Sequence, residues 1–163
     1  MNTSKKTVVK DLALLWSIEN SLSYILPKFA RKASCGALSN LLDHSSGRSR
    51  EHRSTIEDIC KYQGLASVGL FNEQLEHMLA NIIGNLIACQ KNDVDVILIS
   101  GLREVFNYRI NQYEVTKNDI QRFGLRTDHE CLERILVEYK FLYSEFDTIL
   151  YGILPPLAEA VES

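Results

Sequence analysis

The chain has 163 residues, of which 45% are hydrophobic and 24% charged, with a formal net charge of -3 at pH 7. This balance predicts one folded domain over residues 1–163 and argues against disorder. The chain has no basic excess for phosphate contacts, no polybasic patch and no run of about 18 apolar residues, so we expect neither a nucleic-acid nor a membrane partner.

The four cysteines are scattered along the chain without any Cys-x-x-Cys pair. A zinc cluster needs closer ligand spacing, so the pattern favours free thiols in a reducing compartment. Residues 1–10 are not followed by the apolar run of a signal peptide. We therefore expect a cytoplasmic protein.

Apolar residues recur at helical spacing along the whole chain, which contains only three prolines. This pattern predicts an all-α fold. The first helix is predicted from Thr7 to Ala33, with Pro27 kinking it and Ser34 capping the next helix. Its apolar stripe has one polar member, Glu19, between Leu12, Leu15, Leu22, Leu26 and Phe29.

The second predicted helix, from Leu38 to Gly64, is apolar at both ends of its inward face and polar in the middle. The ends are formed by Leu38, Leu41 and Leu42 and by Ile56, Ile59 and Cys60. The middle carries Ser45, Arg48, Ser49, His52 and Arg53. Such a helix either bends around a buried polar site or faces one.

The third and fourth helices are predicted from their caps. Asn72 caps a helix from Glu73 to Gln90, and Asp93 caps the next, which ends at Gly124. The apolar stripe of the third helix could belong to the domain core or to a dimer surface, and the sequence leaves both possibilities open.

The fifth helix is predicted to open with a capping box, Thr127 followed three residues later by Glu130. Pro155 and Pro156 mark its end or a late kink. Five helices, four of them long, with short joints predict a single up-and-down bundle.

Bundles build metal sites from inward carboxylates and histidines on facing helices. The inward candidates here are Glu19, His52 and Glu138, flanked by Glu51 and Glu104. No Glu-x-x-His pair lies on a bundle helix, so the sequence does not encode a complete six-ligand di-iron or di-manganese site.

Arginines accompany these carboxylates on the second and fourth helices. A guanidinium cannot bind a metal ion and stays charged, so it neutralises a buried carboxylate as a cation would. The sequence therefore predicts that ion pairs from Arg50, Arg53 and Arg109 replace the metal. Two alternatives stay open: a partial mononuclear site of Glu19, His52 and Glu138, or separate polar residues that share no site.

Several segments together resemble the YciE/YciF ferritin-like family. They are Asp11-Leu12, Ile18-Glu19-Asn20, Leu26-Pro27-Lys28, Ile56-Glu57-Asp58-Ile59 through Gly64, Asn107-Tyr108 with Tyr113, and Glu138-Tyr139-Lys140. The resemblance implies a ferritin-like four-helix bundle with an extra short helix, often dimeric and linked to bacterial stress responses.

The resemblance also implies where metal ligands would fall. The first-helix glutamate falls on Glu19. The second-helix Glu-x-x-His pair falls on Arg50 and Arg53, or one residue earlier on Ser49 and His52. The fourth-helix Glu-x-x-Glu pair falls on Phe106 and Arg109, and the acidic run of the fifth helix keeps Glu138.

Three functions follow from these observations. The first is a non-catalytic bundle without cofactor, working as a homodimer or with a paralogous ferritin-like partner. The second is an iron or manganese protein with oxidase or storage activity at Glu19, His52 and Glu138. The third is a bundle that binds a small apolar ligand beside Pro27.

Overall fold

The computed structural model describes residues 3–65 and 70–153. Within these ranges the chain is helical and contains no strand, which confirms the predicted all-α class. The helices are α1 Thr3–Lys32, α2 Gly36–Tyr62, α3 Glu73–Ala88, α4 Val94–Arg122 and α5 Arg126–Ile153. A short 3₁₀ helix, Lys91–Asp93, precedes α4. The predicted end or kink at Pro155 and Pro156 lies outside the described residues.

The four long helices form the bundle, and the shorter α3 packs on α4. The backbone N–H groups of Ser34 and Cys35 donate to the carboxylate of Asp95, at 2.7 and 2.9 Å, so α1 ends where α4 begins. Gln63 Nε2 donates to Asp128 Oδ2 at 2.9 Å, so α2 ends where α5 begins. Each helix therefore runs opposite to the one before it, and the predicted up-and-down bundle is confirmed.

The predicted apolar stripe of α1 lies in the core. Leu15, Leu22 and Leu26 are each 0% exposed, and Glu19 is buried among them at 0%. Burying a leucine side chain contributes roughly 1.5–3 kcal/mol, whereas burying a carboxylate without partners is costly. The surroundings of Glu19 therefore decide what this part of the bundle can do.

Two predicted side-chain caps are wrong. The N-cap of α2 is Cys35, not Ser34, and its side chain makes no capping bond. Asp95 of α4 accepts from the backbone N–H groups of Ser34 and Cys35, just before the helix. Thr127 lies inside the first turn of α5, which begins at Arg126, so it cannot be the N-cap of a capping box. Asp93 is the N-cap of α4, but its side chain makes no capping bond.

Other helix ends agree with the prediction. The Asn72 side chain accepts from the backbone N–H of Leu75 at 3.1 Å, which confirms it as the cap of α3. Gly64 and Gly124 follow α2 and α4 with φ of 65° and 85°, the left-handed backbone that glycine adopts readily. The predicted ends of the helices differ from the observed ones by a few residues, as is usual for frayed termini.

The helices α3 and α4 approach each other closely at Gly101. A Cβ atom placed on Gly101 would overlap Cγ1 of Ile82, whose side chain is buried. Only glycine leaves room for Ile82 at this point. In the described ranges, no helix combines the length and the apolar character needed to cross a membrane.

Candidate functional site

One polar side chain from each of the four long helices meets its neighbours in the centre of the bundle. They are Glu19 of α1, His52 of α2, Arg109 of α4 and Tyr139 of α5. Their exposed fractions are 0%, 3%, 0% and 0%, respectively. We refer to these four residues as the polar layer. It is the buried polar site that the middle of α2 predicted.

The Tyr139 hydroxyl lies between the Glu19 carboxylate and the His52 ring. It donates to Glu19 Oε2 and lies within hydrogen-bonding distance of His52 Nδ1. The rings of His52 and Tyr139 meet edge to face, with centroids 4.9 Å apart. His52 Nδ1 and Glu19 Oε2 are 3.8 Å apart, so the hydroxyl links them.

Arg109 brings a positive charge to the other oxygen of Glu19. Its Nη1 is 3.9 Å from Glu19 Oε1. Its Cζ lies 3.4 Å from the centroid of the Tyr139 ring and 4.5 Å from that of Phe106. A desolvated cation over aromatic rings gains about 2 kcal/mol for each favourable pair. No nitrogen of Arg109 forms a hydrogen bond with the described residues, so Glu19 and the two rings are its electrostatic partners.

Glu138 lies at the edge of the polar layer, where its side chain is 27% exposed. Arg48 holds it with two nitrogens: Nε contacts Oε1, and Nη2 donates to Oε2 at 2.9 Å. Arg48 also contacts Glu51 through Nη1. His52 Nε2 is 3.1 Å from Glu138 Oε2. Glu138 therefore connects the buried residues to the bundle surface.

The three arginines predicted as ion-pair replacements occupy different surroundings. Arg109 lies beside Glu19 in the polar layer. Arg50 is exposed and donates to Ser46 Oγ at 3.1 Å. Arg53 is half-buried and donates to Asn20 Oδ1 at 2.8 Å. Within the described part of the chain neither Arg50 nor Arg53 forms an ion pair with a carboxylate, and Arg48 pairs with Glu138 instead.

The observed side-chain directions decide between the two positions considered for the Glu-x-x-His pair on α2. Ser49 and His52 are 0% and 3% exposed and face inward, whereas Arg50 points to solvent. On α4, Phe106 and Arg109 are both buried, at 1% and 0%. The inward pairs are therefore Ser49 with His52 on α2 and Phe106 with Arg109 on α4.

Burial shifts the pKa values of Glu19 and His52 in opposite directions. Desolvation raises the pKa of Glu19 to about 7, although Arg109 and the Tyr139 hydrogen bond oppose the shift. Desolvation lowers the pKa of His52 to about 4, although Glu138 opposes it. Partial burial would raise the pKa of Glu138, but the hydrogen bond from Arg48 and the nearby His52 lower it overall. His52 is therefore neutral near pH 7.

Neutral His52 has a partner for its proton on either ring nitrogen. With the proton on Nδ1, the ring donates to the Tyr139 hydroxyl, and the Nε2 lone pair faces Arg48 Nη2 at 3.3 Å. With the proton on Nε2, the ring donates to Glu138 Oε2 at 3.1 Å.

The residues of the polar layer do not fit a metal ion. Tyr139 occupies the space between His52 and Glu19, and arginines engage Glu19 and Glu138. The two ring nitrogens of His52 face different carboxylates, one on each side of the ring. In residues 3–65 and 70–153, no three His, Cys, Asp or Glu side chains are grouped so that they could hold a metal ion.

Sequence reasoning missed two members of this site. Tyr139 was not among the predicted site residues, yet it is the group that joins Glu19 to His52. Its position in the inward stripe of α5, between Leu136 and Leu142, was the available signal. Arg48 was noted on α2 but was not singled out as the partner of Glu138, because choosing among neighbouring arginines requires the position of α5.

Two solved structures have the same fold as this chain. The crystal structure of the E. coli stress protein YciF matches with a TM-score of 0.89 at 20% identity, covering 94% of this chain and 98% of that chain. YcfI from Rhodopseudomonas palustris matches with a TM-score of 0.85 at 17% identity, covering 90% of this chain and 94% of that chain. The predicted resemblance to YciE/YciF proteins is thus confirmed at the level of the fold. No family model and no curated protein matches the sequence.

Proposed function

We propose that this bundle is a non-catalytic structural or interaction protein in which arginines supply the positive charge that a metal ion would bring. The observation that carries the proposal is Arg109, fully buried and 3.9 Å from Glu19 Oε1. A guanidinium remains charged at all useful pH values and cannot bind a metal ion. Its place beside Glu19 makes a second cation there unfavourable.

The surroundings of the other carboxylate support the same function. Glu138 receives two contacts from Arg48 and a third from the neutral ring of His52. These contacts hold its pKa below the usual range, so it is ionised and paired without a metal. The polar layer offers no nucleophile paired with a base that faces an open cavity, and this favours a non-catalytic role.

The comparisons suggest the setting in which such a protein works. YciF is described as an E. coli stress protein, and YcfI is provisionally described as a structural protein. By extension, we propose a stress-associated role in the cytoplasm for this chain, carried out as a homodimer or with a paralogous ferritin-like partner. The shared fold supports this proposal.

The alternative function is a reduced iron or manganese site with oxidase or storage activity. One observation favours it: His52 lies 3.8 Å from Glu19 and 3.1 Å from Glu138, so one imidazole is near both carboxylates. A metal bound there would have to displace the Tyr139 hydroxyl or the Arg48 guanidinium from these ligands.

Metal content separates the two functions. The protein is purified without chelator, incubated with ferrous iron or manganese, desalted and analysed by mass spectrometry of the elements, beside a Glu19→Gln variant. We expect no stoichiometric metal in either protein. A stoichiometric amount of metal in the wild-type chain, absent from the variant, would overturn the proposal in favour of the alternative.

A further inference from the structure

A groove of about 610 Å³ lies between the start of α2 and the end of α5. Among the neighbouring long helices, α2 and α5 approach each other least closely. The α2 wall of the groove runs from Ala37 to His44, and the α5 wall runs from Phe141 to Ile149, each at helical steps of three and four residues. Sites for small molecules in proteins have volumes of roughly 300–1,000 Å³. The groove is therefore large enough for a small organic molecule.

Part of the groove is apolar. Leu41 is 8% exposed, and Ile149 is half-buried and packs against the core. Phe141 lines the groove although 63% of its surface is exposed. These side chains offer carbon surface and an aromatic ring to the body of a ligand.

The hydroxyl groups of the α5 wall present only acceptors to a ligand. Ser144 Oγ donates its hydrogen to the backbone carbonyl of Phe141 at 2.6 Å. Thr148 Oγ1 donates to the carbonyl of Ser144 at 3.2 Å. With their hydrogens used inside the helix, both oxygens keep lone pairs for a donor. The α5 wall therefore suits a ligand that carries several N–H or O–H hydrogens.

Glu145 gives the groove a negative charge. It is half-buried, and its carboxylate forms no ion pair and no hydrogen bond with the rest of the described chain. Neither Lys nor Arg occurs among the described residues that line the groove. A ligand with a positive charge would therefore gain a counter-charge here without displacing a side chain of the protein.

We propose that this groove binds a small organic amine with an apolar body. A protonated amino group has three hydrogens, which match the Glu145 carboxylate and the two hydroxyl oxygens beside it. The apolar body packs against Leu41 and Ile149, and the Phe141 ring attracts the cation to its face. A carboxylate ligand of the same shape would instead meet Glu145 as a like charge. None of the four residues of the polar layer lines the groove, so this activity is independent of the metal content.

Three ligands with one indole body and different head groups test the charge preference. They are tryptamine, the alcohol tryptophol and the carboxylate indole-3-propionate, each titrated into the full chain by calorimetry at neutral pH. Tryptamine should bind about fivefold more tightly than tryptophol, since the amine alone gains the ion pair with Glu145. Indole-3-propionate should bind more weakly than either.

Two variants and a control test the residues. Glu145→Gln should abolish the preference for tryptamine over tryptophol. The matched change Glu130→Gln, on a side chain of α5 that is 62% exposed, should preserve it. Ala37→Trp places a large side chain on an exposed residue of the α2 wall, so it should abolish the binding of both ligands with an unchanged circular dichroism spectrum.

Nuclear magnetic resonance of the backbone amides locates the bound ligand. Tryptamine should shift the signals of residues 37–44 and 141–149. Shifts elsewhere, equal affinity for the three ligands, an unchanged preference in Glu145→Gln, or no binding up to about 1 mM tryptamine would overturn the proposal. Shifts in the groove that follow the protein concentration instead of tryptamine would assign it to a second copy of the chain and would also overturn the proposal.

Discussion

The pKa shifts of Glu19 and His52 have opposite effects on how stability depends on pH. Replacing Glu19 with Gln is expected to remove one of these effects and so reveal the other. The pKa of Glu19 is raised from 4.5 to about 7, so its contribution to stability is full below pH 4.5 and is lost as pH rises through 7. The pKa of His52 is lowered from 6.5 to about 4, so its contribution is full above pH 6.5 and is lost as pH falls through 4. The two slopes have opposite signs.

The size of each slope follows from linkage. One proton bound differently in the folded and unfolded states changes the free energy of unfolding by about 1.4 kcal/mol per pH unit. Between pH 4.5 and 6.5 folding releases a proton from His52 and takes one up at Glu19, so their effects cancel. Glu19→Gln removes the Glu19 slope, so its stability relative to the wild type should rise by about 3 kcal/mol between pH 4.5 and 7. His52→Gln removes the His52 slope, so its stability relative to the wild type should fall by about 3 kcal/mol between pH 4 and 6.5.

Urea unfolding at half-unit pH intervals, followed by circular dichroism, measures these differences. Each variant is compared with the wild type at the same pH, because Asp11 also titrates. Its pKa is raised to about 7 by burial and by the neighbouring Asp119. Its contribution is common to the three proteins and drops out of the differences. Parallel curves for the wild type and both variants would refute the reasoning, since they would mean that neither group changes its pKa on folding.

Two further substitutions test the packing around the site. Arg109→Met should lower the free energy of unfolding at pH 8 by about 3–5 kcal/mol, since it leaves the buried Glu19 carboxylate without its counter-charge. A loss below about 1 kcal/mol in urea unfolding would contradict the ion pair between Arg109 and Glu19. Gly101→Ala should lower the free energy of unfolding by about 1–3 kcal/mol, because its Cβ would overlap the side chain of Ile82. The matched change Gly47→Ala, with Arg50 as its nearest neighbour at 3.7 Å, should instead stabilise α2 by about 1 kcal/mol, and equal thermal shifts in both variants would argue against the close approach.

The sequence predicted those parts of the structure that depend on periodicity. The stripe of α1 placed Glu19 in the core, and the interrupted stripe of α2 placed Ser49 and His52 at a buried polar site. Both follow from the helical repeat, because burial is decided by the face on which a residue lies. The Asn72 cap was also predictable, since it acts on its own helix three residues away.

The sequence could not predict features that depend on a neighbouring helix. Ser34 was an acceptable cap by residue type, but the N-cap of α2 is Cys35, and Asp95, some 60 residues later, accepts from the N–H groups of Ser34 and Cys35 just before α2. Arg48, Arg50 and Arg53 of α2 carry the same charge, so the sequence did not distinguish between them as partners of a carboxylate. Only the position of α5 makes Arg48, rather than Arg50, the partner of Glu138. Such choices require tertiary distances that a helical repeat does not contain.

The polar layer also explains how four long helices with similar apolar stripes reach one alignment. Leucine-rich stripes can interdigitate almost equally well after a shift of one turn, about 5.4 Å. Such a shift would move the Tyr139 hydroxyl away from Glu19 and His52, and would leave Arg109 without a nearby carboxylate. An unpaired buried charge costs several kcal/mol, which is comparable to the total stability of a small domain. Because each member comes from a different helix, the polar layer is satisfied in one alignment only, and its contribution is to select that alignment more than to add stability to it.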